Sequence, residues 1–139
     1  MNVSDESKKL PGKGFVRFTA ILYISLGILF IINPAGMATG LGYENLSEAG
    51  LTDIMATYGG LEIGIGVTLL LFLWNDEIRI ALAVVFLTFI GFAIGRALGA
   101  IRFGGFHGLH CYWLVFEVVY LLITNFYMRK YRVQKESAA

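Results

Sequence analysis

Gly91-Phe92-Ala93-Ile94-Gly95-Arg96-Ala97-Leu98-Gly99 sets an arginine into a glycine ladder, deep inside an apolar run of about twenty residues. A lone guanidinium is hard to place in lipid, so another part of the chain must answer it. Two glutamates, Glu62 and Glu117, sit in two other apolar runs. A fourth run, near the N-terminus, completes the set. The fold expected is all-α: an integral membrane four-helix bundle.

Composition agrees. The chain has 139 residues, of which 57% are hydrophobic and 15% charged. Soluble domains carry roughly 25% charged residues. Mean hydropathy is +0.70. The charges cluster at the ends and in short gaps, leaving four long apolar stretches. A single cysteine, Cys111, excludes an internal disulfide and any multi-cysteine zinc site.

Working outward, residues 1–14 form a polar arm with Pro11, Gly12 and Gly14. Lys8, Lys9, Lys13 and Arg17 crowd the border of the first span, 15–33. That run is long for the h-region of a signal peptide and no small-x-small site follows cleanly, so it reads as a span. Asn33-Pro34-Ala35-Gly36 is expected to end it. The stretch 37–53 is acidic, with a short helical turn expected over 47–51 and Thr52 or Asp53 as cap of the second span, 54–74. Asn75-Asp76-Glu77 is a tight turn. The third span covers 78–101. A glycine-rich loop with His107 and His110 leads to the fourth, 111–128, and 129–139 is a basic tail. Basic residues concentrate on the two ends of the chain and on the second connection (Arg79), which predicts both termini in the cytoplasm of a multi-pass protein of the inner, or plasma, membrane.

Three ionisable residues therefore share one layer of the outer leaflet. Glu62, Arg96 and Glu117 each lie roughly 8–12 Å from the outer ends of their spans. Each alone costs about 2.5–3.5 kcal/mol on insertion scales, so pairing inside the bundle is the expected relief. Trp113, Glu117, Tyr120 and Thr124 fall on one stripe of the fourth span at spacings of four, three and four. Tyr58 precedes Glu62 by one turn, and Thr19 and Tyr23 give the first span a weaker polar face. Gly59 and Gly66 flank Glu62, and Gly91, Gly95 and Gly99 accompany Arg96. These small residues are expected to let helices pack closely.

The cluster reads in two ways. It is a staple that fixes helix register, or it lines an outward-facing site for a small molecule or proton. Two carboxylates against one guanidinium leave a charge of −1 if all are ionised, so the layer suits a proton, a cation or an amine-bearing ligand. A scaffold role in a larger membrane complex is the alternative. Third comes an acid–base enzyme acting on lipid, which needs a carboxyl at a reachable pocket. No nucleophile has a recognisable partner, no phosphate loop occurs, no cofactor is implied and nothing supports nucleic-acid binding, so the expectation leans away from an enzyme. His107 and His110 are weak metal candidates, because no third histidine exists and the nearest acids are in another loop. The expected partners are the lipid bilayer, a small-molecule ligand and, from the many glycines on helix faces, further copies of the chain.

The run Ala56-Thr57-Tyr58-Gly59-Gly60-Leu61-Glu62-Ile63-Gly64-Ile65-Gly66 resembles the signature of a bacterial family of small four-helix membrane proteins, domain of unknown function 4345. Gly91-x-x-x-Gly95-Arg96 and Glu117 are similar to that family's third- and fourth-helix features. The resemblance covers the chain from the first span to the fourth. It implies a four-helix membrane domain, gives special weight to Glu62, Arg96 and Glu117, and implies no established activity. DoxX-like proteins are similar in layout only.

Overall fold

The computed structural model describes residues 10–104 and 109–137, with side chains as far as 133. The described residues are helical almost throughout. Helix α1 spans Lys13–Ile32, α2 Pro34–Gly40, α3 Glu48–Trp74, α4 Ile78–Phe103 and α5 Leu109–Ser137. All but α2 are long and apolar enough to cross a membrane, with mean hydropathies of 2.3, 1.6, 2.3 and 1.4 in chain order.

Local chemistry sets the helix ends. Gly12 begins α1 at φ +90, and a Cβ there would lie 3.2 Å from Cβ of Tyr127, so both the left-handed turn and the close approach call for glycine. Lys13 Nζ donates to Asp76 Oδ1 at 2.9 Å, which ties the start of α1 to the α3–α4 turn. Asn33 and Pro34 end α1, but they also start α2. The Asn33 side chain accepts from Gly36 N at 3.1 Å, and proline sits at the first helical position, where no N–H is needed.

Helix α3 starts earlier than expected. Its cap is Ser47, whose hydroxyl accepts from Gly50 N at 3.2 Å, and neither Thr52 nor Asp53. Both of those lie inside the helix, and Thr52 bonds back to Glu48 O at 2.9 Å. The turn expected over 47–51 is thus the first turn of α3. Seven residues of α3, Met55–Leu61, form a π segment, and Glu62 is the first residue after it. At the far end of the chain α5 runs past Met128 to Ser137.

Helix α1 lies along α3, and α4 lies along α5. The two pairs meet less extensively. Glycine makes the first seam. A Cβ on Gly27 would fall 2.6 Å from Gly59 O, and one on Gly66 would fall 2.7 Å from Ala20 O. These backbones are therefore in direct contact. The principal core occupies the end of the bundle that holds the α3–α4 turn, where Val16 and Ala20 meet Leu69, Ala81, Leu82 and Val85. A smaller cluster of Phe30, Ala38 and Ile54, with Tyr58 beside it, seals α1, α2 and α3 at the opposite end. Helix α4 has no buried residue after Phe89. The bundle is consequently closed at the turn end and opens along α4 towards the end that carries α2.

Candidate functional site

The α4–α5 connection brings Arg96 and Glu117 to the same level. Each lies seven or eight residues from its helix end at that connection, roughly 11 Å along the axis. Arg96 Nη2 and Nε both donate to Glu117 Oε1, at 2.7 and 3.0 Å. Glu117 is only 3% exposed, whereas the Arg96 side chain is 25% exposed. The pair is charge-assisted and two-pronged, which makes it a strong orienting contact between α4 and α5. The third guanidinium nitrogen, Nη1, lies 3.2 Å from Nδ1 of His110, an exposed residue at the start of α5. A guanidinium only donates, so Nδ1 accepts. His110 is the residue that sequence reasoning discounted, because its spacing to His107 was weighed for a metal and its distance from Arg96 could not be seen. His107 lies outside the described residues. Among the described residues, no three His, Cys, Asp or Glu side chains are grouped to hold a metal.

Glu62 stands apart from this pair. Neither oxygen hydrogen-bonds to another described residue, and Oε2 is buried. The expected three-membered cluster is thus one ion pair and one separate carboxylate. Tyr58, one turn earlier, stacks on Phe30 at 5.1 Å, and its hydroxyl lies 3.4 Å from that of Tyr43. It remains within electrostatic reach of both Glu62 and Arg96.

Tyr23, on α1, links the parts. Its phenol is within electrostatic reach of Glu62, Glu117 and Tyr120. Its ring meets that of Phe89 at 6.2 Å, and Phe89 stacks on Tyr120 at 4.3 Å. Phe116 lies 4.8 Å from Tyr120 and 5.9 Å from Trp113. An aromatic floor, centred on Phe89, therefore underlies the charged layer. Phe89 gave no sign of this in a run of apolar residues, and Tyr23 gave only a weak one.

Five buried polar atoms around this floor have no hydrogen-bond partner among the described residues: Tyr23 OH, Glu62 Oε2, Trp113 Nε1, Glu117 Oε2 and Tyr120 OH. Native proteins pair nearly all such groups. Here they come from α1, α3 and α5: Tyr23 is within electrostatic reach of Glu62, Glu117 and Tyr120, and Trp113 lies one turn before Glu117 on α5. The glycines divide in two. Gly59 and Gly66, on α3, pack against α1, and Gly27, which sequence reasoning missed, packs from α1 against α3. A Cβ added at Gly91, Gly95 or Gly99 would meet no atom within 4 Å, so within the chain they open a face of α4 where a packed ridge was expected. The reason is that α3 and α4 touch mainly near their shared turn.

Residues 13–127 match the family model for a domain of unknown function, DUF4345. The chain belongs to the DUF4345 family. The match reaches into all four long helices, so Glu62, Arg96 and Glu117 lie inside the DUF4345 region. No curated protein matches the chain. No solved structure matches it.

Proposed function

We propose that this DUF4345 protein binds a small polar molecule, or carries a proton, in a chamber among Tyr23, Glu62, Trp113, Glu117 and Tyr120, reached from the outer face of a bacterial inner membrane. The single observation that carries the reading is the presence of five unpartnered buried polar atoms on three helices. A purely structural cluster would satisfy its own groups, since a half-satisfied polar network costs more than an apolar core. The two sequence readings then divide between residues. Arg96 and Glu117 act as the clip that holds α4 to α5, and Glu62 is the carboxylate offered to a ligand. The positive-inside pattern supports both termini in the cytoplasm, which sets the open end outward.

Native mass spectrometry of the protein and its Glu62→Gln variant tests this. The parent retains a bound species that the variant loses. Two identical spectra, with only protein and exchangeable lipid, would remove the chamber and leave a membrane scaffold. The open α4 face with Gly91, Gly95 and Gly99 supports self-association as the form such a scaffold takes, and the oligomeric mass in the same spectra reads it directly.

A further inference from the structure

We infer that the group bound in this chamber is a primary ammonium, carried by an amino alcohol such as ethanolamine or by the phospholipid headgroup built from it. The inference rests on the chamber reading above and adds the chemistry of its occupant.

The unpartnered atoms define what must be supplied. Glu62 Oε2 and Glu117 Oε2 only accept hydrogen bonds while ionised, and the Tyr23 and Tyr120 hydroxyls can accept as well as donate. Only Trp113 Nε1 is restricted to donating. The demand is thus for several N–H or O–H donors and one acceptor. Tyr23, Glu117 and Tyr120 are 5%, 3% and 6% exposed, so bulk water does not reach them freely. Charge points the same way. Arg96 directs two of its donors to Glu117 and a third to neutral His110, which leaves Glu62 uncompensated.

An –NH₃⁺ group has three donors and one positive charge, and it balances the layer. The indole of Trp113, which meets Phe116 edge-on, suits it further, because aromatic faces attract cations. A quaternary ammonium would satisfy the rings but offers no N–H to the carboxylates. A bare divalent cation needs about six oxygens, and the unpartnered buried atoms among the described residues include four. The indole N–H asks for an oxygen on the same ligand, and an amino alcohol or its phosphate ester has one. Beyond Phe89 the side of α4 is open, with Gly91 and Gly95 uncovered, so a headgroup or a soluble amine can both arrive.

Trp113 reports occupancy once the other tryptophan is removed. Trp74 is 86% exposed and lies at the opposite end of α3, so Trp74→Phe leaves the chamber untouched. In that background, in non-ionic detergent, ethanolamine, ethylene glycol and choline are titrated against Trp113 fluorescence. Ethanolamine gives a saturable change and the other two do not. Glu62→Gln weakens it by about tenfold or more, the worth of one lost charged hydrogen bond, and Tyr23→Phe weakens it less. Circular dichroism verifies that both variants remain folded. The source is then read in nanodiscs. If phosphatidylethanolamine abolishes the response to free ethanolamine, while phosphatidylcholine and phosphatidylglycerol do not, the headgroup is the ligand. If ethanolamine still binds, the free amine is. A response to ethylene glycol equal to that for ethanolamine overturns the ammonium while the chamber stands. Silence to all three, with a Glu62-dependent species of another class in the mass spectrum, also overturns it. Silence together with an empty mass spectrum removes the chamber itself.

Discussion

Substituting Arg96 should harm this protein far more than substituting either glutamate, and the size can be worked out from the geometry. Glu117 Oε1 receives two guanidinium bonds, at 2.7 and 3.0 Å, on a residue that is 3% exposed. Arg96→Met removes both and leaves a buried carboxylate without a counter-charge. Breaking a buried pair from one side costs about 3–5 kcal/mol. Because the Arg96 side chain is 25% exposed, the lower end, about 3 kcal/mol, applies. Glu117→Leu leaves a cation that still has His110 and some solvent, so about 1–2 kcal/mol is expected. The double variant has no unpaired charge, and it should fall within about 1–2 kcal/mol of the parent. The coupling is then about 3 kcal/mol, at the upper end of measured cycles. Ordinary hydrogen bonds between membrane helices average about 0.6 kcal/mol, so the two cases separate cleanly. The assay is unfolding by sodium dodecyl sulfate in mixed micelles, followed by circular dichroism for all four proteins. Additive single effects would mean that the pair does not hold α4 to α5.

Three further predictions concern other elements. Glu62→Gln should not lower stability in the same assay, since no hydrogen bond is lost and an uncompensated carboxylate is removed, while it abolishes ligand retention. Gly27→Ala places a methyl 2.6 Å from Gly59 O and should cost about 1–3 kcal/mol, whereas Gly95→Ala meets nothing within 4 Å and should gain up to about 1 kcal/mol from helix propensity; equal effects would refute the seam. Deleting Gly60 should convert the π segment to α-helix, leave the Arg96–Glu117 coupling intact, and abolish retention of the bound species in native mass spectrometry.

Much of this was legible in the chain because it depends on composition at a given depth. Four apolar runs sufficed for four spans, and charge at matched depth sufficed for Arg96 and Glu117. The hidden part depends on contact. Gly27 is one glycine in an apolar run until Gly59 O is found against it. The cap at Ser47 and the helix opened by Asn33-Pro34 had signals in the sequence, a hydroxyl or amide three residues before the N–H it accepts from, but stronger punctuation nearby masked them. His110 was discounted because histidine pairs suggest metals, while its true neighbour lies fourteen positions away.

The packing of α3 on α1 explains why Glu62 is left unpartnered. In an unbroken α-helix Gly59, Glu62 and Gly66 would share one face, at spacings of three and four. Gly59 and Gly66 are both pressed on the backbone of α1, so that face has no room for a carboxylate. A π turn holds more residues than an α turn, and it rotates the helix on its C-terminal side relative to the helix on its N-terminal side. Met55–Leu61 ends immediately before Glu62, so the rotation carries Glu62 and Gly66 together, four residues apart in the regular helix that follows. The seam itself is filled by Ile63, whose Cγ1 lies 2.7 Å from a Cβ placed on Gly27, so Glu62, one residue earlier, stands about 100° round the helix from that contact. The widened turn weakens α3 locally, and π segments persist where such a cost is offset by function. That is the physical reason to regard Glu62, rather than the better-bonded Glu117, as the residue the chamber is built to present.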